Sequence, residues 1–295
     1  MAWRKLAREV PDDRPVLIAG PTASGKSALA MAIAEAGGGR IVNADALQVF
    51  EEWRILTARP SPSDEARVPH RLYGQVPRGA AYSVGQWLRD VAPLLAGPRP
   101  VVVGGTGLYF AALTGGLADI PDVPAAVSEA ATARLAEAGL AAMAAELDAG
   151  SRARIDTANP RRVQRAWEVL TATGRGIAAW QDETGPPLLP VENATALLLE
   201  APPDWLNPRI EARFDAMLDA GLLEEARANR PGWHPALPSA KAIGAAEVMA
   251  HLDGALDLAG LRNNVAIQTR QYAKRQRSWF RARMSGWRRI DPGDA

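Results

Sequence analysis

The run GPTASGKS, residues 20–27, restricts what this chain can become more than any other stretch of it. It fits the pattern GxxxxGK[ST] and lies between a short apolar segment, PVLIA at residues 15–19, and a strong helix-forming stretch, SALAMAIAE at 27–35. A strand, a glycine-rich turn and a helix in that order make a phosphate loop. Backbone N–H groups of Gly20, Pro21, Thr22, Ala23, Ser24, Gly25, Lys26 and Ser27 (Pro21 excepted, having none) can wrap a phosphate, and the helix N-terminus adds positive potential. Lys26 supplies a point charge and the Ser27 hydroxyl a ligand for Mg²⁺. The loop predicts a phosphate ester as ligand and leaves open which one.

The segments that follow extend the same logic. RIVNAD at residues 40–45 reads as a second strand ending in an acid. Residues 82–95 read as an amphipathic helix with Ser83 as N-cap, and VVV at 101–103 as a buried strand stopped by GGTG. Short apolar strands alternating with helices predict an α/β fold, a P-loop NTPase-like parallel sheet flanked by helices. Both glycine-rich loops then fall at the carboxyl ends of strands, where open α/β sheets bind ligands. From about Leu117 the chain turns Ala-rich and helical without strand signals, until TALLL at 195–199 returns to the sheet. The expectation is a catalytic core of residues 1–117 and 196–295 with an α-helical insertion domain at 118–195. Helices are expected at 207–220, 239–252 and from about 258 to 287.

Composition enters mainly by exclusion. With 47% hydrophobic and 23% charged residues the chain can bury a large core. Cysteine is absent, which removes thiolate nucleophiles, disulfide scaffolds and zinc fingers, and fits a reducing compartment. No apolar run approaches the roughly 18 residues of a spanning helix. The charged beginning of the chain does not read as a signal peptide, so no membrane association and a cytoplasmic location are expected. The formal net charge of +1 hides an asymmetry. Residues 270–289 hold 8 Lys and Arg and no acid, leaving 26 basic against 33 acidic residues elsewhere. An acidic body with one basic segment predicts a localised polyanion contact.

Several residues then become candidates for chemistry. Asp45, after the second strand, is placed to accept a proton from a nucleophile, or else to cap the strand end. In GGTG, residues 104–107, the Thr106 hydroxyl and backbone donors share that sheet edge, unless the segment is only a tight turn. The strand PVVV ends in no acid of the kind an ATPase uses, and Glu200 after TALLL reads equally as the start of a loop. Arg209 and Arg213, with Glu211 between them, form either a salt-bridged helix face or an anion clamp. NPRRVQRA carries Arg161, Arg162 and Arg165 at a helix start, facing either solvent or a nucleic-acid backbone. In the last segment Tyr272, Trp279, Phe280, Met284 and Trp287 recur at helical spacing as a core stripe, leaving Arg270, Lys274, Arg277 and Arg281 for phosphates.

GPTASGKS, NADALQVF, LTARP, PHRL, VVVGGTGLY, NPRRVQRA, RIEARF, LPSAKAIG and TRQYAKRQRSWF occur in the order found in tRNA dimethylallyltransferases, and the chain resembles that family from about Val16 to Trp287. The resemblance implies transfer of a dimethylallyl group from dimethylallyl diphosphate to N6 of the adenosine 3′-adjacent to the anticodon, with Mg²⁺. It implies Asp45 as general base, Thr106 near the reacting groups, and Lys26 with Arg213 on the diphosphate. It further implies tRNA contacts at Asp45, Ala46, Leu47, Gln48, Thr106, Arg161, Arg162, Val163, Gln164, Arg165, Arg270, Lys274 and Arg277, a pocket for a flipped adenine, and a monomer. The chain departs from the family pattern at Ala46, Leu47 and Phe50, where Ser, Met and Tyr are usual, and at Leu56, Ser128, Ala245 and Ala246. Retention of Asp45, Gln48, Thr106, Lys26 and Arg213 predicts an active enzyme with altered tRNA affinity. The rival readings are an ATP-dependent small-molecule kinase with Asp45 as hydroxyl base, and a nucleotide-gated RNA binder without transfer chemistry.

Overall fold

The computed structural model describes residues 3–293. Among them, six strands form one sheet: β1 (Val16–Ala19), β2 (Arg40–Asn43), β3 (His70–Arg71), β4 (Pro100–Gly104), β5 (Thr195–Leu199) and β6 (Arg288–Ile290). Their order is β3-β2-β4-β1-β5-β6, and every neighbouring pair is parallel. Val16 lies opposite Val101 on one side and Thr195 on the other. β1 and β4 are buried along their whole length, which is why VLIA and PVVVG are unbroken apolar runs rather than alternating ones.

The chain divides into two compact units, residues 1–114 with 188–295, and residues 115–187. In the first unit the helices preceding the break are α1 (Trp3–Glu9), α2 (Lys26–Gly37), α3 (Pro62–Arg67), α4 (Val84–Val91) and α5 (Gly107–Gly115). In the second unit they are α6 (Ala125–Ala145), α7 (Ala149–Arg154), α8 (Pro160–Thr173) and α9 (Ile177–Asp182). The chain returns through α10 (Pro203–Asp219), α11 (Leu222–Asn229), α12 (Ala245–Leu252) and α13 (Leu258–Arg283).

Strand periodicity sorts the core of the first unit into two layers. Val16, Ile18, Val101 and Val103 pack with Leu29 and Ile33 of α2 and Ala7 of α1. Leu17, Val102 and Leu198 face the other way, onto Trp87, Tyr109, Phe110, Phe280, Met284 and Trp287. A third cluster joins Trp53 and Leu56 to Phe214, Leu222, Val248, Leu261 and Val265, tying the segment after β2 to α10, α11, α12 and α13. Ser83 caps α4 in a reciprocal box with Gln86, as its position predicts. The Trp87 indole N–H donates to the Asn43 carbonyl, 2.8 Å, and so fixes the end of β2.

The second unit is helical. Ala131, Met143, Leu147, Val163 and Ala166 make its core. Asp148 and Asn159 cap α7 and α8, and Gly174 ends α8 at φ 68°.

Four expectations need correction. The insertion ends at 187 rather than 195, because Leu189 packs under the sheet and its N–H donates to the Leu113 carbonyl, 3.1 Å. The strand expected at 40–45 stops at Asn43. The helix expected at 239–252 is a 3₁₀ turn (Pro238–Lys241) and then α12, separated by Gly244 at φ 91°. The last helix ends at Arg283, after which the chain pairs as β6 on the open edge of β5. No helix among the described residues is long and apolar enough to cross a membrane.

Candidate active site

The phosphate loop leaves β1 at Ala19 and enters α2 at Lys26. Ala23 (φ 62°) and Gly25 (φ 87°) both take left-handed backbone, which turns successive N–H groups toward a common centre and makes an anion nest. A non-glycine residue holds that conformation at a cost. The surrounding contacts support it: Ser24 is wholly buried, its N–H donates to the Pro21 carbonyl at 3.3 Å, and the Trp3 ring lies against Gly25. α2 has no side-chain cap, so the first-turn N–H groups remain open to a ligand. The Ser24 hydroxyl is buried without a partner among the described residues.

Asp45 lies two residues beyond β2 in a turn built by Asn43. The Asn43 side chain accepts from the Asp45 N–H at 2.8 Å and donates to the Asp45 and Leu72 carbonyls at 2.9 and 3.0 Å. One Asp45 carboxylate oxygen accepts from the Leu47 N–H at 3.0 Å. The GGTG turn after β4 is stitched to this loop. Thr106 donates its N–H to the Ala44 carbonyl at 3.2 Å, and its hydroxyl oxygen accepts from the Ala46 N–H at 2.9 Å. A Cβ on Gly104 would collide with the Ala44 backbone, so glycine is what permits that approach.

The two loops open onto a shared cavity. Polar residues including Thr22, Lys26, Ser27, Asp45, Gln48, Arg213 and Tyr272 line it together with the apolar Leu47, Leu56, Ile210, Phe214, Met217 and Val265. Lys26 donates to the Pro21 carbonyl at 3.4 Å. Burial and the neighbouring Arg213 lower its pKa to about 8, against the opposing pull of Asp45. Burial also lowers the pKa of Arg213, again opposed by Asp45. Burial and the Asp45 charge raise Tyr272 well above the usual phenol range, so it is a neutral donor.

Lys26, Ser27, Asp45, Leu47, Gln48 and Arg213 therefore share one cavity, and Thr106 holds the loop that carries Asp45. The salt-bridged arginine face around Glu211, one of the two alternatives for this helix, does not form as a unit. Arg213 turns inward, Arg209 lies over the Trp205 ring at 3.9 Å, and Glu211 pairs with Arg270 instead. Arg270 is held in a partly exposed pair with Glu211, and Lys274 is exposed. Arg277 and Arg281 line a separate cleft with Arg289 and Glu200. Glu200 pairs with Arg289 at 2.8 Å and lies outside the main cavity. Gln48 spends its amide on the Thr57 and Ala58 carbonyls, 2.8 and 3.0 Å. In the second unit Arg161, Arg162 and Arg165 are exposed and Gln164 is half-buried, but Val163 is fully buried in the core, so its side chain does not face RNA. Phe50 and Ala245 are core residues, which accounts for their apolar character.

Sequence reading missed Asn43, Tyr272, Gln276 and most of the apolar wall. A signal for Gln276 existed: it falls on the buried register of α13 with Ala273 and Phe280, a polar side chain where the stripe predicts an apolar one.

Comparison with known proteins agrees with this geometry. An IPP transferase family profile matches residues 48–283, and an isopentenyl transferase profile matches residues 14–76. A tRNA dimethylallyltransferase of Cereibacter sphaeroides is 62% identical over 283 residues, covering 96% of this chain and 90% of that protein. The tRNA dimethylallyltransferase of Dinoroseobacter shibae is 62% identical over 286 residues, covering 96% of each. The crystal structure of a Bacillus halodurans tRNA isopentenylpyrophosphate transferase superposes with a TM-score of 0.66 at 29% identity, covering 95% of this chain and 90% of that one. The profile match over most of the chain, and relatives this similar along nearly their whole length, place the chain in the tRNA dimethylallyltransferase family.

Proposed function

We propose that this chain transfers a dimethylallyl group from dimethylallyl diphosphate to N6 of the adenosine 3′-adjacent to the anticodon in tRNA. The observation that carries the reading is one cavity lined both by a phosphate loop, two cations and a carboxylate and by apolar side chains. A prenyl diphosphate combines the same two characters. In transfer the allylic C–O bond breaks, a C–N6 bond forms, diphosphate leaves, and N6 gives up a proton. The loop amides, Lys26 and Arg213 hold the charge that grows on the leaving group. Asp45 accepts the N6 proton. Thr106 and Asn43 fix the loop that aims Asp45. Leu47, Leu56, Phe214 and Met217 exclude water from the allylic cation that develops.

Mg²⁺ belongs to the same proposal. The Ser27 hydroxyl and the Asp45 carboxylate are hard oxygen donors in the cavity, and no trio of His, Cys, Asp or Glu converges among the described residues. That donor set fits a cation bound largely through diphosphate and water, with Ser27 as its protein ligand. Bound there, Mg²⁺ would supply further charge stabilisation to the leaving diphosphate.

For RNA, Lys274 and Arg277 in the first unit and Arg161, Arg162 and Arg165 in the second are the proposed phosphate contacts. The test is incubation with unmodified tRNA and either labelled dimethylallyl diphosphate or ATP. Digestion to nucleosides should return the label as N6-isopentenyladenosine from the position after the anticodon, with no dependence on ATP. Phosphoryl transfer from ATP without prenylation would overturn the reading in favour of a kinase.

A further inference from the structure

Gln276 is a buried polar residue, 5% exposed, in the middle of α13. Its carboxamide bonds two backbone groups of fixed polarity, one in the phosphate loop and one in the GGTG turn. The Oε1 atom accepts from the Thr22 N–H of the phosphate loop at 2.8 Å, and Nε2 donates to the Gly105 carbonyl of the GGTG turn at 2.9 Å. A Cβ on Gly105 would collide with this carboxamide and lie 3.3 Å from an Asp45 carboxylate oxygen. Gly105 is therefore what lets the Gln276 amide run alongside Asp45. Tyr272, one turn earlier on α13, lies close to Thr106 and Gln276. The sequence of contacts is continuous: phosphate loop, Gln276, Gly105, Thr106, then the loop bearing Asp45.

We infer that Gln276 is a positioning residue for the transfer reaction, setting the phosphate loop and the Asp45–Thr106 loop at the separation the reaction needs. This rests on the function proposed above. The loop holds the leaving group and Asp45 takes the proton from the incoming nucleophile, so their spacing is the reaction coordinate's length. No single motif controls it. Both loops leave parallel strands at the same sheet edge, and β1 and β4 pair only as far as Ala19 and Gly104. Beyond that point the sheet no longer sets the distance, and the Gln276 carboxamide bridges the gap.

The bridge requires one acceptor and one donor, which a carboxamide provides and a carboxylate does not. In Gln276→Glu the ionised side chain would still accept from Thr22, but it would oppose the Gly105 carbonyl and the Asp45 carboxylate. Protonated, the same carboxyl donates to Gly105 and restores both contacts. The charged or titratable groups around it are Asp45 after β2, Tyr272 on its own helix, and Lys26 and Arg213, which act on Asp45 from α2 and α10. Burial next to Asp45 keeps the introduced carboxyl protonated to a higher pH than a free one.

The experiment measures single-turnover transfer at saturating tRNA and prenyl diphosphate for wild type, Gln276→Glu and Gln276→Leu from about pH 5.5 to 8.5. At the upper end both variants should lose about 10²-fold, the typical cost of roughly 1 Å of misplacement. The Gln276→Glu rate relative to wild type should climb as pH falls, while the Gln276→Leu ratio stays flat. The folded fraction of each variant is measured by circular dichroism at every pH and divided out, so the ratio compares rates per folded molecule, and Gln276→Leu carries the response of a variant without the introduced carboxyl. A flat ratio for Gln276→Glu, or wild-type rates in both variants, would overturn the inference. Absence of prenyl transfer by the wild type would instead refute the proposed function.

Discussion

Lys26 illustrates what burial does to a binding group. A lysine whose folded pKa is about 8, against 10.5 for the free side chain, is charged below pH 8 and increasingly neutral above it. Burying that charge costs stability below pH 8, and the cost is relieved as pH rises from 8 toward 10.5. A bound diphosphate reverses the balance by restoring the charged form. Binding of dimethylallyl diphosphate should therefore take up close to one proton at about pH 9 and far less at about pH 7. Calorimetry in buffers of different ionisation enthalpy measures this, and equal uptake by Lys26→Ala would show that the proton goes elsewhere. Asp45 should act on the chemical step. Adenine N6 is a poor nucleophile because its lone pair is delocalised into the ring, so a carboxylate helps most as the C–N bond forms. Asp45→Asn keeps the turn and should lower kcat ~10²–10⁴-fold with tRNA affinity little changed; a variant that loses affinity and keeps turnover would remove Asp45 from the base role. Lys26, Asp45 and Thr106 were legible because each sits within a few residues of a strand end and a glycine turn. Gln276 and the wall formed by Ile210, Phe214, Met217 and Val265 were not, because their partners lie far away in sequence; Thr22 and Gln276 are 254 residues apart.

At the scale of elements, α13 divides its work by face. Ala273, Gln276 and Phe280 point inward, while Lys274, Arg275 and Arg281 are exposed. Helical spacing predicted that division, but it could not say which basic residue meets an acid first, and Glu211 of α10 takes Arg270. Neutralising Lys274 and Arg277 together should weaken tRNA binding and lower the salt slope by about 0.7–0.9 per phosphate no longer neutralised, with transfer at saturating tRNA unchanged. Filter binding at two salt concentrations reads it, and an unaltered slope would mean that these side chains meet no phosphate. The elements that escaped sequence reading share a cause. β3 has two residues, His70 and Arg71, and β6 contributes Arg288 and Arg289, both exposed. Neither shows apolar alternation, because an edge strand is held by its backbone pairing with β2 or β5 rather than by its side chains. The break before α12 runs through Ala242, at ψ 130°, and Gly244, whose positive φ is not visible in an otherwise helical stretch.

The whole molecule separates chemistry from a second, distinct body of chain. Every residue lining the main cavity belongs to the unit formed by 1–114 and 188–295, and the unit at 115–187 has its own core of Ala131, Met143, Leu147, Val163 and Ala166. A unit that buries its apolar face in a core of its own can carry a binding surface of its own. The start of α8 is the place for it. Asn159 caps the helix by accepting from the Arg161 and Arg162 N–H groups at 3.1 and 3.3 Å, so the two side chains are displayed from a fixed first turn. Arg165, one turn on, is exposed and lies 3.8 Å from the largely buried carboxylate of Glu168. Replacing Arg161 and Arg162 with Gln should therefore weaken tRNA affinity and lower the salt slope by about 0.7–0.9 for each phosphate left without its arginine. The KM for dimethylallyl diphosphate and the single-turnover rate at saturating tRNA should stay at wild-type values, since neither side chain lines the cavity. Arg165→Gln should have a smaller effect, because part of its charge is already balanced. A fall in the saturated rate, with affinity unchanged, would show that the second unit takes part in the chemical step and that the division between the two bodies is not one of binding and catalysis.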